Sequence, residues 1–155
     1  MRVLGVDPGT QVTGYGVVDV AAPLGRLVEC GTIALDRRDP LAKRLRTLHD
    51  GIAALIARHH PDSLALEDAF YHKNVRTALV LGHARGVVML AAARADLDVF
   101  EYPPATIKRT VGGAGAARKE QVATMVARLL QLSRAPEPSD AADGVAVALT
   151  HILRA

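Results

Sequence analysis

The hydrophobic period of this chain first changes near residue 40, and that change constrains its fold more than any other feature. Three short apolar runs rich in β-branched residues come first. Arg2 to Asp7 is stopped by Pro8-Gly9, while Thr13 to Val20 and Arg26 to Leu35 are separated by Pro23 and Gly25. Connections this short make an antiparallel meander the simplest arrangement. Thereafter Leu41, Leu45, Leu48, Ile52, Leu55 and Ile56 repeat at helical spacing until Pro61. Ser63 to Glu67 reads as a brief strand, and Asn74 to Ala95 as a long helix with Leu79, Gly82, Gly86 and Leu90 down one face. Leu97 to Tyr102 is a further strand, closed by Pro103-Pro104. Val122, Met125, Val126, Leu129 and Leu130 mark another helix, and a last one runs from about Asp140 to Leu153. This order predicts an α/β domain with a five-stranded mixed sheet. A three-strand antiparallel meander continues into two parallel strands, and helices cover both faces.

The 155 residues suit one domain spanning residues 1–155, large enough to bury a core without staples. No internal repeat, low-complexity tract or long linker divides it. Only 3% of the chain is aromatic against 50% hydrophobic, so the core has to be built from Val, Leu, Ile and Ala. The single cysteine, Cys30, excludes an internal disulfide framework and suits a reducing cytoplasm. The longest apolar run, Gly86 to Ala93, is too short to span a bilayer, and the opening residues lack the form of a signal peptide. A net charge of +3 permits a nucleic-acid partner without requiring one.

Four acids stand out by position. Asp7 ends the first apolar strand, at the carboxyl edge where α/β sheets place their ligands. Asp-Pro-Gly can equally make a plain turn. Glu67 repeats the pattern at the end of the second buried strand, and if the two strands are neighbours the two carboxylates converge. Asp68 would then point to the opposite face, as a solvated neighbour. Asp140 and Asp143 share one face of the last helix, about a turn apart. The same spacing serves an N-terminal cap, so this pair has two readings. Its small neighbours Ala141, Ala142 and Gly144 would let the helix end approach a sheet closely.

Together these acids describe a negative pocket that requires cations. An all-oxygen donor set suits Mg²⁺, with Mn²⁺ as an alternative, and a pair of ions would support in-line phosphoryl displacement. No Cys/His cluster has zinc spacing. His59-His60 reads as a solvated helix end, and His151 lies too far along its helix to join the acids.

The segments around these acids resemble the RuvC family of Holliday-junction resolvases. Gly5-Val6-Asp7-Pro8-Gly9-Thr10 with Val12-Thr13-Gly14-Tyr15-Gly16 looks like its opening motif. Glu67 with Phe70, Lys73 and Asn74 resembles the second, Leu81-Gly82-His83-Ala84-Arg85-Gly86 the third, and Asp140-Ala141-Ala142-Asp143 with Thr150-His151 the last. The resemblance runs from residue 3 to 151 in the family's order. It departs at His83 where Gln is usual, at Gly144 where Ala is common, and at Asp68 where the family tends to be uncharged. It implies an RNase H-like homodimer that nicks two strands of like polarity at a four-way DNA junction. It also implies two Mg²⁺ per site on Asp7, Glu67, Asp140 and Asp143, a cytoplasmic setting, and a branch-migration motor of the RuvA and RuvB type as partner.

A candidate DNA surface follows from charge. Tyr102 to Lys119 holds no acid but carries Lys108, Arg109, Arg118 and Lys119, spaced by Gly112, Gly113 and Gly115. Lys/Arg and exposed backbone amides are what phosphate contacts need, although a solvated surface loop would look the same. The resemblance supports Lys108 and Lys119 as neighbours of the scissile phosphate. Phe70 and Tyr71, next to Lys73 and Arg76, could stack on unpaired bases, although such rings are more commonly core. Arg37-Arg38 and Lys43-Arg44-Arg46 read as an ordinary solvated face. Three other functions share parts of this pattern. A nucleotide-binding module of the actin/hexokinase type has a similar Asp-x-Gly-Thr loop but needs a second domain. A non-catalytic junction scaffold would not need four acids. An RNase H-like nuclease acting on RNA differs only in substrate.

Overall fold

A computed structural model of the chain describes residues 1–68 and 73–155. Three strands, β1 (Arg2–Asp7), β2 (Val12–Val20) and β3 (Gly25–Ala34), form the antiparallel meander. Then follow α1 (Leu41–His59), β4 (Ser63–Glu67), α2 (Val75–Arg94), β5 (Asp98–Tyr102), α3 (Pro104–Gly112), α4 (Lys119–Leu129) and α5 (Ser139–Arg154). The sheet order is β3-β2-β1-β4-β5, with β4 parallel to both β1 and β5. The predicted meander, parallel pair and two-sided helical cover are all present.

Strand alternation divides the core in two. Leu4, Val6, Leu64 and Leu66 face α1 and α2, where Leu48, Ile52, Leu55, Val88 and Ala92 cover them. Val3 and Ala65 face the other way, onto α3, α4 and α5. As the composition required, the described buried hydrophobic side chains are aliphatic throughout.

One helix of the nucleic-acid segment was not foreseen. α3 occupies part of what reads as a loop, so Lys108 and Arg109 are helical. Pro104 sits at its first position, where the missing N–H costs nothing, and Gly113 ends it at φ +89°. The tandem prolines that follow β5 therefore also open α3.

The long helix α2 is capped by Asn74, whose side chain accepts a hydrogen bond from the Thr77 N–H at 3.1 Å. By length and composition α2 could cross a membrane, beyond what the run Gly86 to Ala93 suggests. Arg85, midway along it, instead ties it to the sheet. Its guanidinium bonds Asp68 at 3.1 Å and also pairs with Glu101. Asp68 does face away from Glu67's side of the sheet, but it is ion-paired rather than merely solvated. His59 is likewise not a free helix end. Its Nε2 lies 3.0 Å from Glu29, which also accepts from Tyr15 and Arg58, both at 2.7 Å. Arg38 pairs with Asp36 at 2.8 Å at the surface.

Candidate active site

The site begins with register. β1 and β4 pair Val6 with Leu66, so Asp7 and Glu67 are the next residues on adjacent parallel strands. Both follow the parity of Val3 and Ala65 and point toward α5. Burial, then the adjacent Glu67 carboxyl and its charge, push Asp7 well above the usual carboxylate range, while Lys119 partly offsets this.

α5 brings the remaining acids because it lies directly on a glycine floor. A Cβ on Gly14 would stand 1.7 Å from the Asp140 carbonyl oxygen, and one on Gly5 would stand 2.4 Å from the Gly144 carbonyl oxygen. From the helix side, a Cβ on Gly144 would meet the Tyr15 Cα at 2.4 Å. The small residues around Asp140 and Asp143 thus serve the close approach read from the sequence. Helix capping does not explain the acid pair. Pro138 occupies the cap position, no side chain caps the helix, and Asp140 lies inside the first turn.

Asp143 reaches a cleft of about 520 Å³ lined also by Asp7, Glu67, Lys108, Arg118 and Lys119. Its apolar wall includes Pro104, Ile107, Ala117, Val122 and Ala146. Lys119 Nζ bonds Asp143 Oδ2 at 3.0 Å, which raises the lysine above its ordinary value. Burial still holds Asp143 above the usual carboxylate range despite this partner. Asp140 is not among the lining residues, yet its charge acts on Asp7, Asp143 and Lys119.

The donor set fits a hard divalent cation. Every candidate ligand is a carboxylate, and two of them are held together against their own repulsion. A lysine ammonium supplies positive charge in the same cleft. Among the described residues, no three His, Cys, Asp or Glu side chains close on a common point. Asp143 is engaged by Lys119 instead.

Of the basic residues singled out, Lys108, Arg118 and Lys119 line the cleft. Arg109 is exposed on α3 outside the lining, and Lys73 and Arg76 are exposed at the start of α2. Phe70 and Tyr71 lie outside the described residues. His151 is absent from the cleft lining, as its position along the helix implies; its Nδ1 lies 2.7 Å from the Tyr102 hydroxyl and its ring packs on Phe100. The Lys119–Asp143 pair and the Arg85 clamp carry no sequence signal, since each joins residues on different elements.

A five-stranded mixed sheet in the order β3-β2-β1-β4-β5, with helices on both faces and an acid pair at its carboxyl edge, defines a protein of the RNase H-like class. The chain belongs to the RuvC family: the model described as crossover junction endodeoxyribonuclease RuvC matches residues 3–151. It is 48% identical to the crossover junction endodeoxyribonuclease RuvC of Pelotomaculum thermopropionicum, across 97% of this chain and 92% of that one. Against the RuvC of Halorhodospira halophila it is 52% identical, across 97% and 89% of the two chains. The structure of Thermus thermophilus RuvC in complex with a Holliday junction substrate superposes with a TM-score of 0.90 at 34% identity, covering 99% of this chain and 94% of that one.

Proposed function

We propose that this chain resolves four-way DNA junctions by paired, symmetric nicks during homologous recombination and repair. One observation carries the reading: Asp7, Glu67 and Asp143 line one cleft together with Lys108, Arg118 and Lys119. Family membership and the junction-bound relative support the substrate. Asp7, Glu67, Asp140 and Asp143 would hold two Mg²⁺ ions, or Mn²⁺. When bound, such ions activate the attacking water and neutralise the departing oxygen. The chain's own part is to concentrate carboxylates and to seat a phosphate in the same cleft. Incubation with Mg²⁺ and a synthetic four-way junction beside linear duplex tests this. Paired nicks confined to the junction are expected, and equal cutting of duplex or of RNA would overturn the substrate assignment.

Lys108, Arg118 and Lys119 are the proposed phosphate contacts, with Arg109, Lys73 and Arg76 farther out on the DNA path. Phe70 and Tyr71 are retained as proposed stacking residues. Lys108→Ala should weaken junction binding and reduce the slope of log K against log salt by roughly one unit. An unchanged slope would return Lys108 to a solvated surface.

Two coordinated nicks need two sites related by a two-fold axis, hence a homodimer. Support comes from α2, whose Val75, Leu79 and Leu90 are 72%, 62% and 52% exposed on one stripe. Gly82 and Gly86 on the same stripe have open space before them, which permits close approach. Light scattering at micromolar concentration should show a dimer, and Leu79→Asp should convert it to a monomer. A monomeric wild type would remove α2 as an interface. A motor of the RuvA and RuvB type is the further partner proposed, on family membership. The DNA substrate and the free thiol of Cys30 support a cytoplasmic location.

A further inference from the structure

The cleft contains an ion pair that a metal site has to break. Asp143 is a proposed ligand, yet its Oδ2 is held at 3.0 Å by Lys119 Nζ. Lys119 opens α4, lines the same cleft as Asp7 and Glu67, and its side chain is 60% exposed. A flexible four-carbon stem ending in solvent lets the ammonium leave without moving the helix. Lys108 and Arg118 line the same cleft, where they would meet an incoming phosphate. No carboxylate bond involving either is among the described ion pairs, which makes Lys119 the cation engaged with the acids.

We propose that Lys119 is an exchangeable counter-ion, which occupies Asp143 in the DNA-free protein and transfers to a DNA phosphate when the junction enters. Asp143 is thereby more available to the metal with substrate in place. This rests on the metal-dependent reading above and adds its regulation. The physical requirement is that one ammonium cannot serve two anions at full strength. DNA binding and divalent-ion binding are then positively coupled through Lys119, and the coupling is reciprocal. The residue acts on Asp143 and on phosphate, so its removal should have opposite effects on the two ligands.

The test is Mn²⁺ binding, read by electron paramagnetic resonance of the free ion, without any turnover. Lys119→Met should bind Mn²⁺ about two- to fivefold more tightly than wild type in the absence of DNA, the range expected for losing one partly exposed ion-pair competitor. Lys108→Met, which removes a charge from the same cleft but leaves the pair, should change it much less. A junction with phosphorothioate linkages at the exchange point keeps its charge and resists hydrolysis. Adding it should tighten Mn²⁺ binding to wild type more than to Lys119→Met. Unchanged or weaker Mn²⁺ binding by Lys119→Met would overturn the proposal, as would an equal gain in Lys108→Met, which signals only a general field. Saturable binding in wild type that Asp7→Asn abolishes keeps the metal reading intact whatever Lys119 does. If wild type and Lys119→Met both bind no more Mn²⁺ than Asp7→Asn, the metal reading itself fails and the exchange falls with it.

Discussion

Asp7→Asn should reduce junction cleavage by about a thousandfold or more while junction affinity in EDTA stays within about twofold of wild type. The substitution keeps the size of the side chain but removes the charge that a metal ligand must supply. Losing about 4 kcal/mol of transition-state stabilisation is enough for that loss of rate. Glu67→Gln and Asp143→Asn should behave alike, since each completes the same pocket. Stability should move the other way. Burial and Glu67 raise the Asp7 carboxyl well above its ordinary value, so the folded protein holds a proton more tightly than the unfolded chain. That contribution is fully present below the unfolded value and is lost as pH rises through the folded one. At neutral pH the acid pair therefore costs stability, and Asp7→Asn should raise the Tm of the metal-free protein. The scale is roughly 2–4 °C for each kcal/mol regained in a domain of this size. Gel-based cleavage and calorimetry on one preparation check both halves. Retained turnover would remove Asp7 from the site, and a lowered Tm would contradict the electrostatic account.

Gly14→Ala should unfold the protein or cost at least about 3 kcal/mol, the upper part of the range for overpacking. A single methyl there would lie 1.7 Å from the Asp140 carbonyl oxygen, which is helix backbone and cannot rotate away. α5 would have to lift from the sheet, carrying Asp143 out of reach of Asp7. A control is Gly115→Ala, where the nearest atom to the added methyl is the Arg109 guanidinium at 3.3 Å, the far end of a flexible side chain. Denaturant melts should therefore separate the two glycines by several kcal/mol. If Gly14→Ala folds normally, its residual activity reports how far the acid pair tolerates displacement. Wild-type stability together with wild-type activity would show that α5 does not need this close approach.

The sequence by itself determined the strands, the alternation and the acids. Short apolar runs ending at Asp7 and Glu67 specify which residues face which side, because successive strand side chains point to opposite faces whatever packs on them. Small residues beside Asp140 and Asp143 announced a close helix–sheet contact, because only they leave room for it. Family motifs covering residues 3–151 added the nuclease class, which spacing alone shared with rival readings. Tertiary structure decided the rest. Whether Asp140 caps α5 turned on where that helix starts, and boundaries depend on backbone bonds that the side-chain pattern does not encode. Lys108 read as loop and is helical, because glycines and charges masked a proline-initiated turn. Asp68 read as solvated and is clamped by Arg85, and Lys119 read as a phosphate contact and is found on Asp143. Each of these pairs joins residues far apart in the chain, and an ion pair leaves no periodic trace: its partner is chosen only when the elements dock.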